Sequence, residues 1–167
     1  RFIEDILITP LSGLEISLSY IIGGAVRGIL NGILVLLLAY LITGLHIENW
    51  FLTLVYLSTV AWAFAGAGVI VGIYAKSWDS IMVLTNFFLI PLTFLGGVFY
   101  SIEMLPDFWR NISMVNPLYW MINGLRYATL GIADTSHELS LGISVLFAIF
   151  FSTLASYMFS KGYRIKT

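Results

Sequence analysis

The sequence contains no cysteine, which excludes disulfide staples and cysteine-ligated metal or haem sites. It is also short of charge. Eight Lys/Arg and nine Asp/Glu make up 10% of the 167 residues, against about 25% in soluble domains. So few polar groups cannot cover the surface of a soluble globule of this length. A net charge of −1 leaves no basic footprint for nucleic acid. The two histidines, His46 and His137, stand far apart in stretches that read as loops, so no histidine metal centre is expected. The sequence also lacks His-Glu-x-x-His, Gly-x-Ser-x-Gly, and a phosphate-cradling glycine loop followed by lysine. The chain therefore has no P-loop of its own for ATP, and no cofactor is expected.

What is present is apolar. Hydrophobic residues make up 59% of the chain, and the mean hydropathy is +0.95. Crossing about 30 Å of hydrocarbon takes roughly 20 apolar residues as a helix. Four stretches meet that requirement: about Tyr20–Leu45, Trp50–Ala75, Ile81–Phe99 and Leu139–Phe159. None shows the alternation of a barrel strand. The expected fold class is all-α: a polytopic transmembrane helix bundle of about four spanning helices in a single domain over 1–167.

Between the third and fourth stretches lies a different segment, Tyr100–Glu138. Pro106, Pro117 and Gly124 interrupt it, and it holds several charges. Its Phe108, Trp109, Ile112, Leu118, Tyr119, Trp120 and Ile122 are too apolar for a solvated loop. Broken helices that dip into the membrane and return fit this pattern. The alternative is a helix pair lying flat, with its aromatics at headgroup depth. On the re-entrant reading, Pro117 and Gly124 mark breaks between short helices, and Trp109 and Trp120 sit among protein groups.

Lysine and arginine bias sets orientation. Four spans put both termini and the Lys76 loop on one side, with Arg1, Lys76, Lys161, Arg164 and Lys166. That side is expected to be cytoplasmic, and the 100–138 segment then opens outward. Arg1 begins inside what reads as an amphipathic stretch, so the expectation is a piece lacking N-terminal spans.

Gly24, Gly28 and Gly32 recur every four residues in the first span, and Gly68 and Gly72 do so in the second. Glycines on one stripe let helices approach closely in lipid, either within the subunit or at a subunit interface. Arg27 sits about one turn into the first span. A charge at the bilayer centre costs at least about 2.5 kcal/mol, so Arg27 is expected to snorkel to the headgroups; lining a cavity is the other reading. Within a cytoplasmic segment expected over residues 1–19, Glu4–Ser17 reads as an amphipathic stretch broken by Pro10. In it Ser12 and Glu15 have the spacing of a capping box. The stretch is either a surface-lying helix or a docking helix for a soluble partner. No carboxylate falls within the spans, and their polar residues are few beyond Arg27, Asn31 and Asn86. An intramembrane enzyme therefore fits poorly, and a structural or assembly subunit without transport is the other alternative.

Pro91-Leu-Thr-Phe-Leu-Gly96-Gly97-Val-Phe, Leu105-Pro106-Asp-Phe-Trp109, Asn116-Pro117-Leu118-Tyr119 and Gly124-Leu125-Arg126 follow one another in order. Together they resemble the C-terminal signature of type-2 ATP-binding-cassette (ABC) exporter permeases. Glu4-Asp-Ile-Leu-Ile-Thr9-Pro10-Leu11-Ser12 resembles the cytoplasmic segment before the third of that family's six spans. A proline that family members often carry after the Gly-rich turn is replaced here by Tyr100-Ser101. The resemblance implies a non-enzymatic transport subunit of the inner membrane. Its partners would be a soluble ATP-binding-cassette ATPase subunit and a second permease copy, identical or different. It also implies a coupling segment at Ile6, Leu7, Thr9, Pro10, Leu11 and Ser12. The re-entrant gate would draw on Pro91, Gly96, Gly97, Pro106, Trp109, Pro117 and Arg126.

Overall fold

The computed structural model describes residues 12–75 and 77–161. The described residues form an all-α bundle with four helices long and apolar enough to cross a membrane. These are α1 (Gly13–Thr43), α2 (Trp50–Tyr74), α3 (Trp78–Leu95) and α6 (His137–Ser160). Two shorter helices, α4 (Asp107–Val115) and α5 (Pro117–Leu130), stand between α3 and α6.

Helix α1 begins seven residues before the apolar stretch read from sequence. Ser12 caps it: its Oγ accepts from Glu15 N at 3.3 Å, while Glu15 Oε2 accepts from Ser12 N at 2.7 Å. With the first turn closed in this way, nothing breaks the chain until Gly44, whose φ of 68° ends the helix. Residues 13–19 are therefore the first turns of α1. The other coupling residues, Ile6, Leu7, Thr9, Pro10 and Leu11, lie outside the described residues, as does Lys76.

Helix α3 is continuous but contains a π-helical turn, Thr85–Leu89, just before Pro91. A proline ring cannot fit against the carbonyl four residues back, and widening that turn is a recognised relief. α3 ends at Leu95 and not at Phe99, because Gly96 and Gly97 turn the chain, Gly97 with φ of 76°.

The glycine stripes divide. A Cβ on Gly24 would lie 3.0 Å from Ala65 Cβ, and one on Gly28 would lie 3.1 Å from Ala61 Cβ. On Gly32 it would meet Leu57 Cδ1. This stripe seats α1 antiparallel against α2 inside the subunit. Gly68 and Gly72 face open space instead, with nothing among the described residues within 4 Å of a Cβ built on either. They line an apolar cavity of about 450 Å³ between α2, α3, α5 and α6, together with Thr85, Leu92, Leu118 and Phe151.

Candidate functional site

The chain breaks twice in the segment after α3. Pro106 precedes α4 and ends a short 3-10 turn over Ile102–Met104. Pro117 opens α5 at the position where a missing N–H costs nothing. Asn116 holds this second break. Its Oδ1 accepts from Leu118 N at 3.0 Å, and its Nδ2 donates to Leu92 O of α3 at 2.6 Å. Trp120 Nε1 donates back to Met114 O at 2.8 Å, tying α5 to α4.

From that break α5 runs the length of half a span. Met121 packs on Ala63, near the middle of α2, and on Ala148, near the middle of α6. At its far end, Thr129 O and Ala128 O accept from Glu48 N and Asn49 N at the start of α2. Helix α5 therefore leads from the middle of the bundle to its end, covered by α2 and α6. Gly124 lies inside this helix and does not break it. A Cβ there would come within 2.1 Å of Tyr56 Cε1. The glycine is required because a buried tyrosine of α2 packs against the helix at that point. Tyr56 OH in turn donates to His137 O at the start of α6.

A polar clasp joins this helix pair to the long helices. Arg126 Nη1 lies 3.4 Å from Asp134 Oδ2, the one ion pair among the described residues. Arg126 Nη2 donates to Gly97 O at the end of α3. Asp134 Oδ2 also accepts from Ile102 N at 3.0 Å. Beside it Asn123 is buried, with Oδ1 accepting from Asp134 N at 2.9 Å and Nδ2 donating to Ser140 Oγ of α6 at 2.9 Å. Tyr119 OH meets Thr135 Oγ1 at 3.1 Å. A buried network of this kind, with every member partnered, fixes one arrangement.

Of the gate residues expected from sequence, Gly97 and Arg126 meet directly. Gly96 packs beside them, where a Cβ would lie 2.7 Å from Ile122 Cδ1 of α5. Pro106 and Pro117 set the helix starts. Among the described residues Trp109 is 46% exposed and touches Phe108 edge-on, so it is not enclosed by them. Pro91 is exposed on α3. Sequence reasoning missed Asp134, Asn123 and Asn116. The available signal was the spacing of Arg126 and Asp134, eight residues apart, in a segment with several other acids.

Arg27 sits near the middle of α1. Within α1 fourteen residues precede it and sixteen follow it. Its neighbour Gly28 abuts Ala61, next to Trp62 at the midpoint of α2. Because α1 begins at Gly13, Arg27 stands more than one turn into the helix.

The chain was compared with known proteins. The sequence model of the family described as ABC-2 type transporter matches residues 1–130. The inner membrane transport permease YadH of Escherichia coli is 36% identical over 162 residues, covering 97% of this chain and 63% of that protein. Its counterpart in Shigella flexneri has the same figures. Nodulation protein J of Sinorhizobium fredii is 28% identical over 149 residues, covering 87% of this chain and 56% of that protein. The chain thus spans somewhat over half the length of these relatives. No solved structure matches it. With the family model matched over most of the chain, this multi-helix membrane protein belongs to the ABC-2 type transporter family.

Proposed function

We propose that the chain is the membrane-spanning part of a permease subunit of an ATP-driven exporter in the inner membrane. It forms the substrate pathway with a second permease copy and couples to a separate ATPase subunit, where hydrolysis occurs. The observation that carries this reading is the clasped helix pair. α5 reaches mid-bundle from one end, and Arg126 and Asp134 tie it to the end of α3. Irregular backbone at membrane depth is tolerated only under protein cover or beside a cavity. Here it has both, since Pro117 and Leu118 line the 450 Å³ cavity. The Escherichia coli relative, an inner membrane transport permease, supports the same reading.

In this reading, α4 and α5 form the outer re-entrant gate, and Ile6–Ser12 is the coupling segment that receives motion from the ATPase. A partner groove enclosing Ile6, Leu7 and Leu11 would gain roughly 1.5–3 kcal/mol per side chain. Leu7→Asp and Leu11→Asp should therefore release the ATPase subunit in a pull-down, with membrane insertion intact because no spanning residue changes. Full retention of the ATPase and of ATP-driven transport by both variants would remove the coupling role and leave a surface anchor.

The proposed orientation puts both ends of this chain and the Lys76 loop in the cytoplasm. The absence of cysteine makes a clean test. Single cysteines at Glu48 and His137 should react with an impermeant thiol reagent added outside intact cells, and one at Lys76 should not. Labelling of Lys76→Cys from outside would reverse the topology.

A further inference from the structure

The coupling segment proposed above ends at Ser12, and Ser12 is also the cap of α1. No loop intervenes, so a displacement of that segment passes straight into the first turns of α1. Those turns lie against the end of α6. A Cβ built on Gly13 would fall 2.5 Å from both N and Oγ of Ser160, so the two helices meet there at their backbones. One turn on, Ser17 is fully buried and its Oγ meets Ser156 Oγ at 2.7 Å. Whichever hydroxyl does not donate across this gap donates within its own helix, Ser17 to Leu14 O or Ser156 to Ser152 O, each at 2.9 Å. Tyr20 and Phe159 complete the contact as stacked rings, 6.0 Å between centroids and 5° between planes.

Helix α6 runs unbroken for 24 residues, about 36 Å at 1.5 Å per residue. Its other end belongs to the clasp. Ser140 Oγ accepts from Asn123 Nδ2 of α5, and His137 O accepts from Tyr56 OH of α2. Thr135, two residues before the helix, accepts from Asn123 Nδ2 on its carbonyl at 3.1 Å and meets Tyr119 OH with its hydroxyl. Between the ends, Trp62 Nε1 of α2 donates to Ser152 Oγ at 2.8 Å. One helix thus touches the start of α1 at one end and the clasped α5 at the other. Coupling between distant sites is carried by rigid elements and hydrogen-bonded contacts of this kind.

Resting on the permease reading and its coupling segment, we propose that α6 is the rod that carries motion of the coupling segment to the gate. Gly13, Ser17, Ser156 and Ser160 form its joint with α1. They are positioning residues. Gly13 permits the close approach, because any side chain there would meet the Ser160 backbone. The hydroxyl pair fixes the register of the two helices, since a slide of one turn, about 5.4 Å, would part it. α1 and α6 then move together at this point. A covalent lock across the joint is harmless, and a wedge driven into it uncouples the two ends.

The test uses the full-length permease with its captured ATPase subunit in lipid nanodiscs, any cysteine outside this chain being replaced by serine. Ile132 is exposed, two residues from Asp134, and Ile132→Cys reports on the clasp through its rate of reaction with a hydrophilic maleimide. In the parent this rate should change when ATP is added. Gly13→Leu should still capture the ATPase and hydrolyse ATP, but its labelling rate should no longer respond. An oxidised Ser17→Cys/Ser156→Cys pair should keep the parent's response. A joint that only holds the fold together gives another pattern: Gly13→Leu lowers the melting temperature, and the folded protein responds to ATP as the parent does. That result overturns the proposal. So does a locked pair that hydrolyses ATP with no change at Ile132→Cys, or a parent complex whose labelling ignores ATP. If Gly13→Leu does not fold, the locked pair decides alone. Failure of the permease reading is distinct, because then the parent captures no ATPase at all.

Discussion

Replacing Arg126 with alanine is expected to destabilise the folded protein by about 3 kcal/mol, the lower end of the range for breaking a buried ion pair. The reason is what the change leaves behind. Asp134 is only 9% exposed on its side chain, so its carboxylate would remain as an uncompensated charge. Gly97 O would also lose its donor. Asp134→Asn should cost less, because an amide oxygen still accepts from Ile102 N and no charge is stranded on that side. The double variant Arg126→Ala/Asp134→Asn should cost less than the sum of the singles by at least about 1 kcal/mol, the coupling expected of residues in one network. Thermal unfolding of the four proteins in a neutral detergent reads this directly. Additive effects would mean that the clasp contributes nothing as a pair.

Gly124→Ala is expected to destabilise, although an alanine inside a helix ordinarily stabilises it by roughly 0.5–1 kcal/mol relative to glycine. The added Cβ would lie 2.1 Å from Tyr56 Cε1 and 2.5 Å from Cζ. Tyr56 is fully buried and its hydroxyl is fixed on His137 O, so the ring cannot swing aside. α5 must instead move away from α2. Overpacking of this kind costs about 1–3 kcal/mol, and Gly124→Leu should exceed it. Gly68→Ala is the control: nothing lies within 4 Å of its Cβ position, so its melting temperature should match or exceed the parent. A Gly124→Ala protein as stable as the parent would refute the close approach of α2 and α5.

The long helices were legible because hydropathy over twenty residues reports the solvent directly. Their ends were less so. Apolarity marks where a helix can sit in lipid, but the helix itself begins where Ser12 closes its first turn. The Ser12–Glu15 spacing was visible in the sequence, yet the joining of that cap to the span was not. Pro106 and Pro117 could be read as breaks because proline chemistry is local. Gly124 could not, since glycine serves equally as a break and as a place of close contact, and the choice depended on Tyr56, far away in sequence. The gate residues were named from motif order alone. The carboxylate that Arg126 meets is one of several nearby, and only folding selects Asp134.

The central claim is that a separate ATPase drives this membrane chain. Its most direct test is ATP hydrolysis by the purified complex in proteoliposomes. Full-length permease, affinity-purified from its own cells in a mild detergent, should bring down a P-loop ATPase subunit in about equal amount. After reconstitution the complex should hydrolyse ATP, and Leu11→Asp should abolish both the association and the activity. A permease that purifies without any P-loop protein, under conditions that preserve its thermal unfolding transition, would contradict the account.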